Sequence, residues 1–243
     1  MKGEIKYWDL AVEITRRCNM SCAHCMRGEA QDMDISTEVI DHLLDNVRRI
    51  ENLVLTGGEP SLNVKAIDYI AQQIEARGIY LGSFYIVTNA KEVSEPFLRA
   101  LLRMFSLTEC REGNGIAWSH DVFHEPVPVE NIRKLSVFAG FSSEDKAVDW
   151  SKGGLINVGR ARNLAGFPRR EKYSMELEWY READGTVYFP EIISVTAEGD
   201  ILRDCDYAYD ETAEIKLGNV LDPYWLEKVV PSEVRAVPAG KGG

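Results

Sequence analysis

The sequence predicts an α/β protein: a parallel sheet flanked by helices over the first two-thirds, then a smaller β-rich extension. Three observations predict it. Apolar runs of strand length alternate with amphipathic segments of helical period from residue 7 to about 158. The linkers between them are short, which calls for right-handed crossovers and parallel strands. Beyond residue 166 the helical period gives way to extended runs separated by turn signals.

Residues 7–15 (YWDLAVEIT) have the composition of a strand. Ser36 is placed to cap a helix running through Ile50, with Val39, Ile40, Leu43, Leu44 and Val47 on one face. A short apolar strand follows at 53–56. A second amphipathic helix covers 64–77 and stops at Gly78. Residues 84–88 (FYIVT) form the third strand. The third helix covers 94–105, with Pro96 in its first turn, where proline is tolerated. A fourth strand is expected at 116–119, a fourth helix at 129–138 and a fifth strand at 155–158. Either an open sheet or a partial barrel fits; a complete eightfold barrel does not, for too few units are present. From Tyr173 onward Asp184-Gly185 and Glu198-Gly199-Asp200 mark turns between strands, and a short helix is expected at 223–230. The expected division is 1–167 for the α/β part, 168–237 for the extension and 238–243 for a disordered tail.

The chain has 243 residues, of which 45% are hydrophobic and 28% charged. That is enough to bury a core without staples. The formal net charge is −11, which argues against a nucleic-acid or anionic-membrane partner, since both reward a basic surface. Apolar runs fall short of a membrane span, and Met1-Lys2-Gly3-Glu4 lacks the apolar core of a signal peptide. A cytoplasmic protein is expected.

Five cysteines are present, and three fall within eight residues: Cys18-x3-Cys22-x2-Cys25, just after the first strand. An odd count in this setting is not a disulfide framework. Clustered thiols suit zinc or an iron–sulfur cluster. Structural zinc wants four closed ligands, and His24, adjacent to Cys25, closes a tetrahedron poorly. Three ligands on a four-iron cluster leave one iron open for chemistry. The residues favour the cluster, with zinc and unliganded thiols as the alternatives. At the end of the second strand stands Thr56-Gly57-Gly58-Glu59-Pro60. Paired glycines permit close approach to the backbone, and a carboxylate can pair with an ammonium.

The cysteine spacing, following a strand that ends in EIT, together with the GGEP turn one βα unit later, resembles the radical SAM enzymes. The resemblance implies a partial (β/α)6 TIM-like barrel, of which five strands are evident here; residues 173–178 are one candidate for the sixth. It implies a 4Fe–4S cluster on Cys18, Cys22 and Cys25. It also implies S-adenosylmethionine, whose amino group would meet Gly57, Gly58 and Glu59. His24 stands where the family often has an aromatic residue shielding cluster and adenine. Asn89 and Ser119 end strands on the face where parallel-sheet enzymes bind ligands. By resemblance, Ser119 or Asp121 would touch the ribose or carboxylate of the cofactor, and Arg160 would pair with its carboxylate. The run from Ser119 to His124 is a candidate substrate contact.

Residues 193–205, followed by Leu217-Gly218-Asn219-Val220, resemble the SPASM or twitch extension of peptide-modifying radical SAM enzymes. Of the cysteines that such an extension carries, Cys205 alone is present. With Cys110 it does not make a usual ligand set, so the scaffold is expected without its auxiliary cluster. Cys205, between Asp204 and Asp206, is inert, a hydrogen-atom donor or a ligand completed by other residues.

The implied chemistry is reductive cleavage of S-adenosylmethionine to a 5′-deoxyadenosyl radical that abstracts hydrogen from a peptide or protein. An external donor of flavodoxin or ferredoxin type is implied. A small-metabolite substrate, a glycyl-radical activase and a non-catalytic iron–sulfur or zinc module are the alternatives.

Overall fold

The computed structural model describes residues 4–142, 154–170, 172 and 176–230. Of the stretch 142–152, in which the sequence shows no strand–helix unit, Ser142 alone is among them; residues 173–175 and the 238–243 tail also fall outside.

Strand β1 (Ile5–Thr15) ends in six consecutive buried residues, the pattern of a parallel strand covered on both faces. Helix α1 (Thr37–Leu44) is capped by Ser36, whose hydroxyl accepts from Val39 N at 3.1 Å, and buries Val39, Ile40, Leu43 and Leu44. It stops earlier than the residue 50 suggested by its apolar period. Asn46 takes a left-handed conformation (φ 63°), which no helix continues through. Val47 then opens strand β2 (Val47–Gly57). Val47 and Ile50 are buried from the strand, and a spacing of three fits the helical face equally well. Helix α2 (Val64–Arg77) has its expected limits, set by Asn63 at one end and left-handed Gly78 (φ 63°) at the other.

Strand β3 (Tyr80–Thr88), helix α3 (Glu95–Leu107), strand β4 (Gly115–Trp118), helix α4 (Val129–Leu135) and strand β5 (Phe141–Ser142) follow. Strands β1 to β5 pair in parallel and in order. The fifth strand is therefore Phe141–Ser142, too short to leave a periodic signal, and not 155–158. Strand β6 (Leu155–Ile156) pairs instead with β7 (Arg169–Arg170) in a separate two-stranded ribbon.

The β-rich part supplies β8 (Tyr180–Arg181), β9 (Val187–Val195), β10 (Asp200–Leu202), helix α5 (Thr212–Ile215), β11 (Gly218–Asn219) and helix α6 (Trp225–Val229). Gly185 (φ 89°) and Gly199 (φ 85°) make the two expected turns. Strand β9 lies parallel to β1, on the side opposite β2. It is the sixth parallel strand of the sheet, and residues 176–178 form none. The order along the sheet is β11-β10-β9-β1-β2-β3-β4-β5, with β8 also pairing antiparallel to β9, and no pairing among the described residues closes it. Thus β1 is central, and the C-terminal strands continue the N-terminal sheet. Fully buried Tyr7 of β1 stacks on Phe189 of β9 with ring centres 5.5 Å apart, a contact worth about 0.5–1.5 kcal/mol beyond its buried area. Among the described residues no helix is long and apolar enough to cross a membrane.

Candidate metal centre

The loop leaving β1 carries Cys18, Cys22 and Cys25, and its base is tied shut. Arg16 N donates to Met33 O at 2.8 Å, and Gln31 N donates back to Arg16 O at 3.0 Å. The Thr15 hydroxyl donates to Asp34 at 2.6 Å, and Arg17 forks onto the same carboxylate at 2.8 and 2.9 Å. Within the loop, Cys25 N donates to Cys22 O at 3.1 Å. All three thiols are free and half-buried. Burial pushes the Cys18 thiol up; a hydrogen bond from Met20 N–H opposes this, and the negative charges of Glu59, Cys25 and Cys22 add to it. Three thiols that repel one another's anions are stabilised together by a bound cation.

The GGEP turn packs against the first residues of this loop. Gly58 N donates to Thr15 O and Glu59 N to Arg17 O, both at 2.8 Å. A Cβ on Gly57 would lie 2.2 Å from Thr15 O, and one on Gly58 2.3 Å from Arg17 O. The glycines therefore allow chain to meet chain. Glu59 is 1% exposed. Its carboxylate accepts from the Thr88 hydroxyl at 2.6 Å, Asn89 N at 2.7 Å and Ser61 N at 3.1 Å. It joins the ends of β2 and β3 with both oxygens engaged by the chain. Burial raises its pKa while these bonds oppose the rise.

Asn89 sits above the cysteines. Its Nδ2 donates to Asn19 Oδ1 at 2.9 Å and lies 3.9 Å from Cys18 Sγ, while its Oδ1 accepts from Lys91 N at 2.9 Å. The intervening Ala90 is buried with φ 57°, a strained conformation for a residue with a Cβ. Ser119 N donates to Thr88 O at 2.9 Å, which places Ser119 at the neighbouring strand end. Asp121 receives His24 Nε2 at 3.0 Å, His124 Nδ1 at 2.7 Å and Phe123 N at 2.8 Å. Burial pushes the Asp121 carboxyl up, but these donors hold it well below the usual carboxylate range. Burial lowers His124, and hydrogen bonds with Asp121 and Cys22 outweigh it and raise it to about 9. The His24 ring stacks on Phe123 at 4.7 Å, and Phe167 meets Phe123 edge-on at 5.1 Å. Rings and thiols thus share one face at the strand ends.

The model of the radical SAM superfamily matches residues 12–107, from the end of β1 through α3. Residues 12–107 are a radical SAM domain. The chain is 28% identical over 93 residues to the uncharacterized protein MJ0907 of Methanocaldococcus jannaschii, covering 35% of this chain and 32% of that protein. It is 33% identical over 69 residues to the putative protein YfkA of Bacillus subtilis, covering 27% of this chain and 18% of that one. The chain thus matches a third or less of these relatives' length. A solved structure of native anSMEcpe with bound AdoMet and Cp18Cys peptide superposes with TM-score 0.54 at 11% identity, over 95% of this chain and 81% of that one. That likeness is one of fold.

The cofactors of a radical SAM domain are a 4Fe–4S cluster and S-adenosylmethionine, and the residues present fit them. Three soft donors occupy one closed-based loop, a number that leaves one iron of four without a protein ligand. Beside them His24 Nδ1 is buried with no hydrogen-bond partner. Arg160 comes to the back of the radical SAM loop through its backbone: Arg160 N donates to Cys25 O at 2.9 Å. Gly159 (φ 54°) makes this approach possible, since a Cβ there would lie 2.3 Å from Met26 O. The Arg160 guanidinium meets Glu29 at 3.3 Å. Cys205 is half-buried; burial and Asp206 push its thiol up while Arg27 opposes them. Cys110 is exposed.

A buried polar network supporting the radical SAM loop went unseen in the sequence. Glu13, 1% exposed, accepts from Arg16 Nε at 2.7 Å, Ala197 N at 3.1 Å and the Tyr207 hydroxyl at 2.9 Å. Arg27 donates to Tyr207 O at 2.9 Å and lies 3.7 Å over that ring. These bonds join residues up to 194 positions apart, beyond any local pattern. The one signal available was an arginine on either side of the cysteine run.

Proposed function

We propose that this chain is a radical SAM enzyme that reductively cleaves S-adenosylmethionine and abstracts hydrogen from a peptide or protein. The observation that carries the reading is the convergence of Cys18, Cys22 and Cys25 with the Glu59–Asn89 lock at the strand ends. When bound, the cluster and S-adenosylmethionine supply a 5′-deoxyadenosyl radical. Cys18, Cys22 and Cys25 hold the iron. Glu59 fixes the GGEP turn against Asn89, so Gly57 and Gly58 stay in register with the loop. Asn89, Ser119 and Asp121 are the polar groups offered to the nucleoside. His24, fixed by Asp121 and Phe123, walls the site against water. Cys205 is the candidate hydrogen-atom donor, and burial keeps it in the thiol form that has a hydrogen to give. The electron comes from an external flavodoxin or ferredoxin, and the protein works in the cytoplasm.

The peptide assignment is supported by the fold likeness to anSMEcpe, whose structure holds a peptide, and by the C-terminal strands. It is tested by offering the reduced enzyme deuterated peptides and, separately, deuterated small metabolites. Deuterium in 5′-deoxyadenosine from the peptide fraction is expected. Transfer from the metabolite fraction alone moves the reading to a small-metabolite enzyme.

A further inference from the structure

A cavity of about 510 Å³ lies on the flank of the cysteine loop, bounded by residues 27–31, the turn at 159–163 and residues 209–210. Arg27, Arg160, Arg162, Glu29, Asp210 and Tyr209 line it. Three arginines in one cavity stand out in a chain of net charge −11.

Their engagements differ. Arg162 is paired with Asp210 at 2.9 Å and with Glu211. Arg160 pairs with Glu29 at 3.3 Å, but the Glu29 side chain is 79% exposed, and such a pair contributes little. Arg160 Nε is buried without a hydrogen-bond partner. Arg27 is 8% exposed and is held by the Tyr207 carbonyl and ring; among the described residues no carboxylate forms an ion pair with it. Tyr209 is 7% exposed, and its hydroxyl has no hydrogen-bond partner. Burial raises that hydroxyl far above its ordinary range, so it carries a proton to donate. Buried donors left unpaired cost free energy that a ligand can recover.

We propose that this cavity binds a carboxylate of the substrate, with Arg27 and Arg160 supplying the charge and the Tyr209 hydroxyl a hydrogen bond. A monoanion is favoured over a phosphate dianion. Arg162 is taken by Asp210 and Glu211 and Arg160 meets only the exposed Glu29, which leaves Arg27 as the arginine without a carboxylate ion pair among the described residues, and a guanidinium fork matches a carboxylate. The ligand would be anchored beside the iron site, because Arg160 N and Gly28 N both donate to Cys25 O, at 2.9 and 3.4 Å. The identity of the carboxylate as a substrate group rests on the proposed function.

The test is isothermal titration calorimetry on the full chain with N-acetyl-aspartate methylamide, its asparagine counterpart, inorganic phosphate and S-adenosylmethionine. The aspartate probe is expected to bind at one site and the asparagine probe to give no heat. Tyr209→Phe, which removes a hydroxyl without a partner, and Arg160→Gln are each expected to weaken the aspartate probe at least fivefold. Preloading with S-adenosylmethionine is expected to leave it unchanged. Absence of carboxylate binding, or affinity in both variants equal to that of the native chain, overturns the site. Tighter binding of phosphate overturns the ligand class, and displacement by S-adenosylmethionine assigns the carboxylate to the cofactor. The heat requires no reductant and no turnover, so failure here is separable from failure of the radical reading.

Discussion

Glu59 and Glu13 are both 1% exposed, and both hold strand ends together through bonds to groups distant in the chain. Glu59→Gln keeps the size but offers one acceptor oxygen to donors that now share two. It is expected to cost about 1–3 kcal/mol in urea denaturation, the usual penalty for a buried group left unpaired, and to lower 5′-deoxyadenosine formation as Asn89 shifts. A variant of unchanged stability would show that Glu59 is not the lock described. Glu13→Gln leaves the Arg16 guanidinium buried without the charge 2.7 Å away. Arg16 keeps Glu198 at 2.9 Å, but that partner is 46% exposed. The expected loss is about 3–5 kcal/mol, as for breaking one side of a buried pair, again measured by urea denaturation. The iron-to-protein ratio after reconstitution is expected to fall with it, because Arg16 begins the cysteine loop.

At the scale of elements, the pairing of β9 with β1 decides how the chain can be divided. Removing β9 turns β1, an eleven-residue strand with six buried residues in succession, into an exposed edge. Long apolar edges recruit other chains. A chain ending at residue 178 is therefore expected to elute as large aggregates in size-exclusion chromatography. A monomeric fragment that melts cooperatively would contradict the central place given to β1. Elements whose ends carry chemical punctuation were legible in the sequence: Ser36 and Gly78 mark helix ends, Pro96 marks a first helical turn, and Gly185 and Gly199 mark turns. What was not legible has physical causes. The 45–47 turn hides because Val47 and Ile50 satisfy a helical face and a strand face alike. Strand β5 is two residues long, below the length at which any period exists. The partner of β9 is a non-local choice that alternation alone does not encode. At the site, Cys18, Cys22, Cys25 and the GGEP turn were legible because the donors are close in sequence. The Glu13–Tyr207 bond was not, since its halves meet only in the fold.

In the whole molecule the C-terminal part continues the sheet of the segment that matches the radical SAM superfamily, residues 12–107, and supports its cysteine loop through Ala197 and Tyr207. The chain is acidic overall, at −11, and the arginine-lined cavity lies against the back of that loop, so the proposed carboxylate site and the cysteine ligands would share residues 25–31. This arrangement assigns separate duties to the thiols, the strand-end lock and the flank. The thiols carry the central claim, and anaerobic reconstitution with iron, sulfide, S-adenosylmethionine and dithionite tests it most directly, with 5′-deoxyadenosine followed by chromatography. The account predicts 5′-deoxyadenosine from the native chain and its loss, together with the iron–sulfur absorbance, in Cys18→Ala. Equal amounts from both proteins, or none from a native chain that carries its full iron, would contradict it.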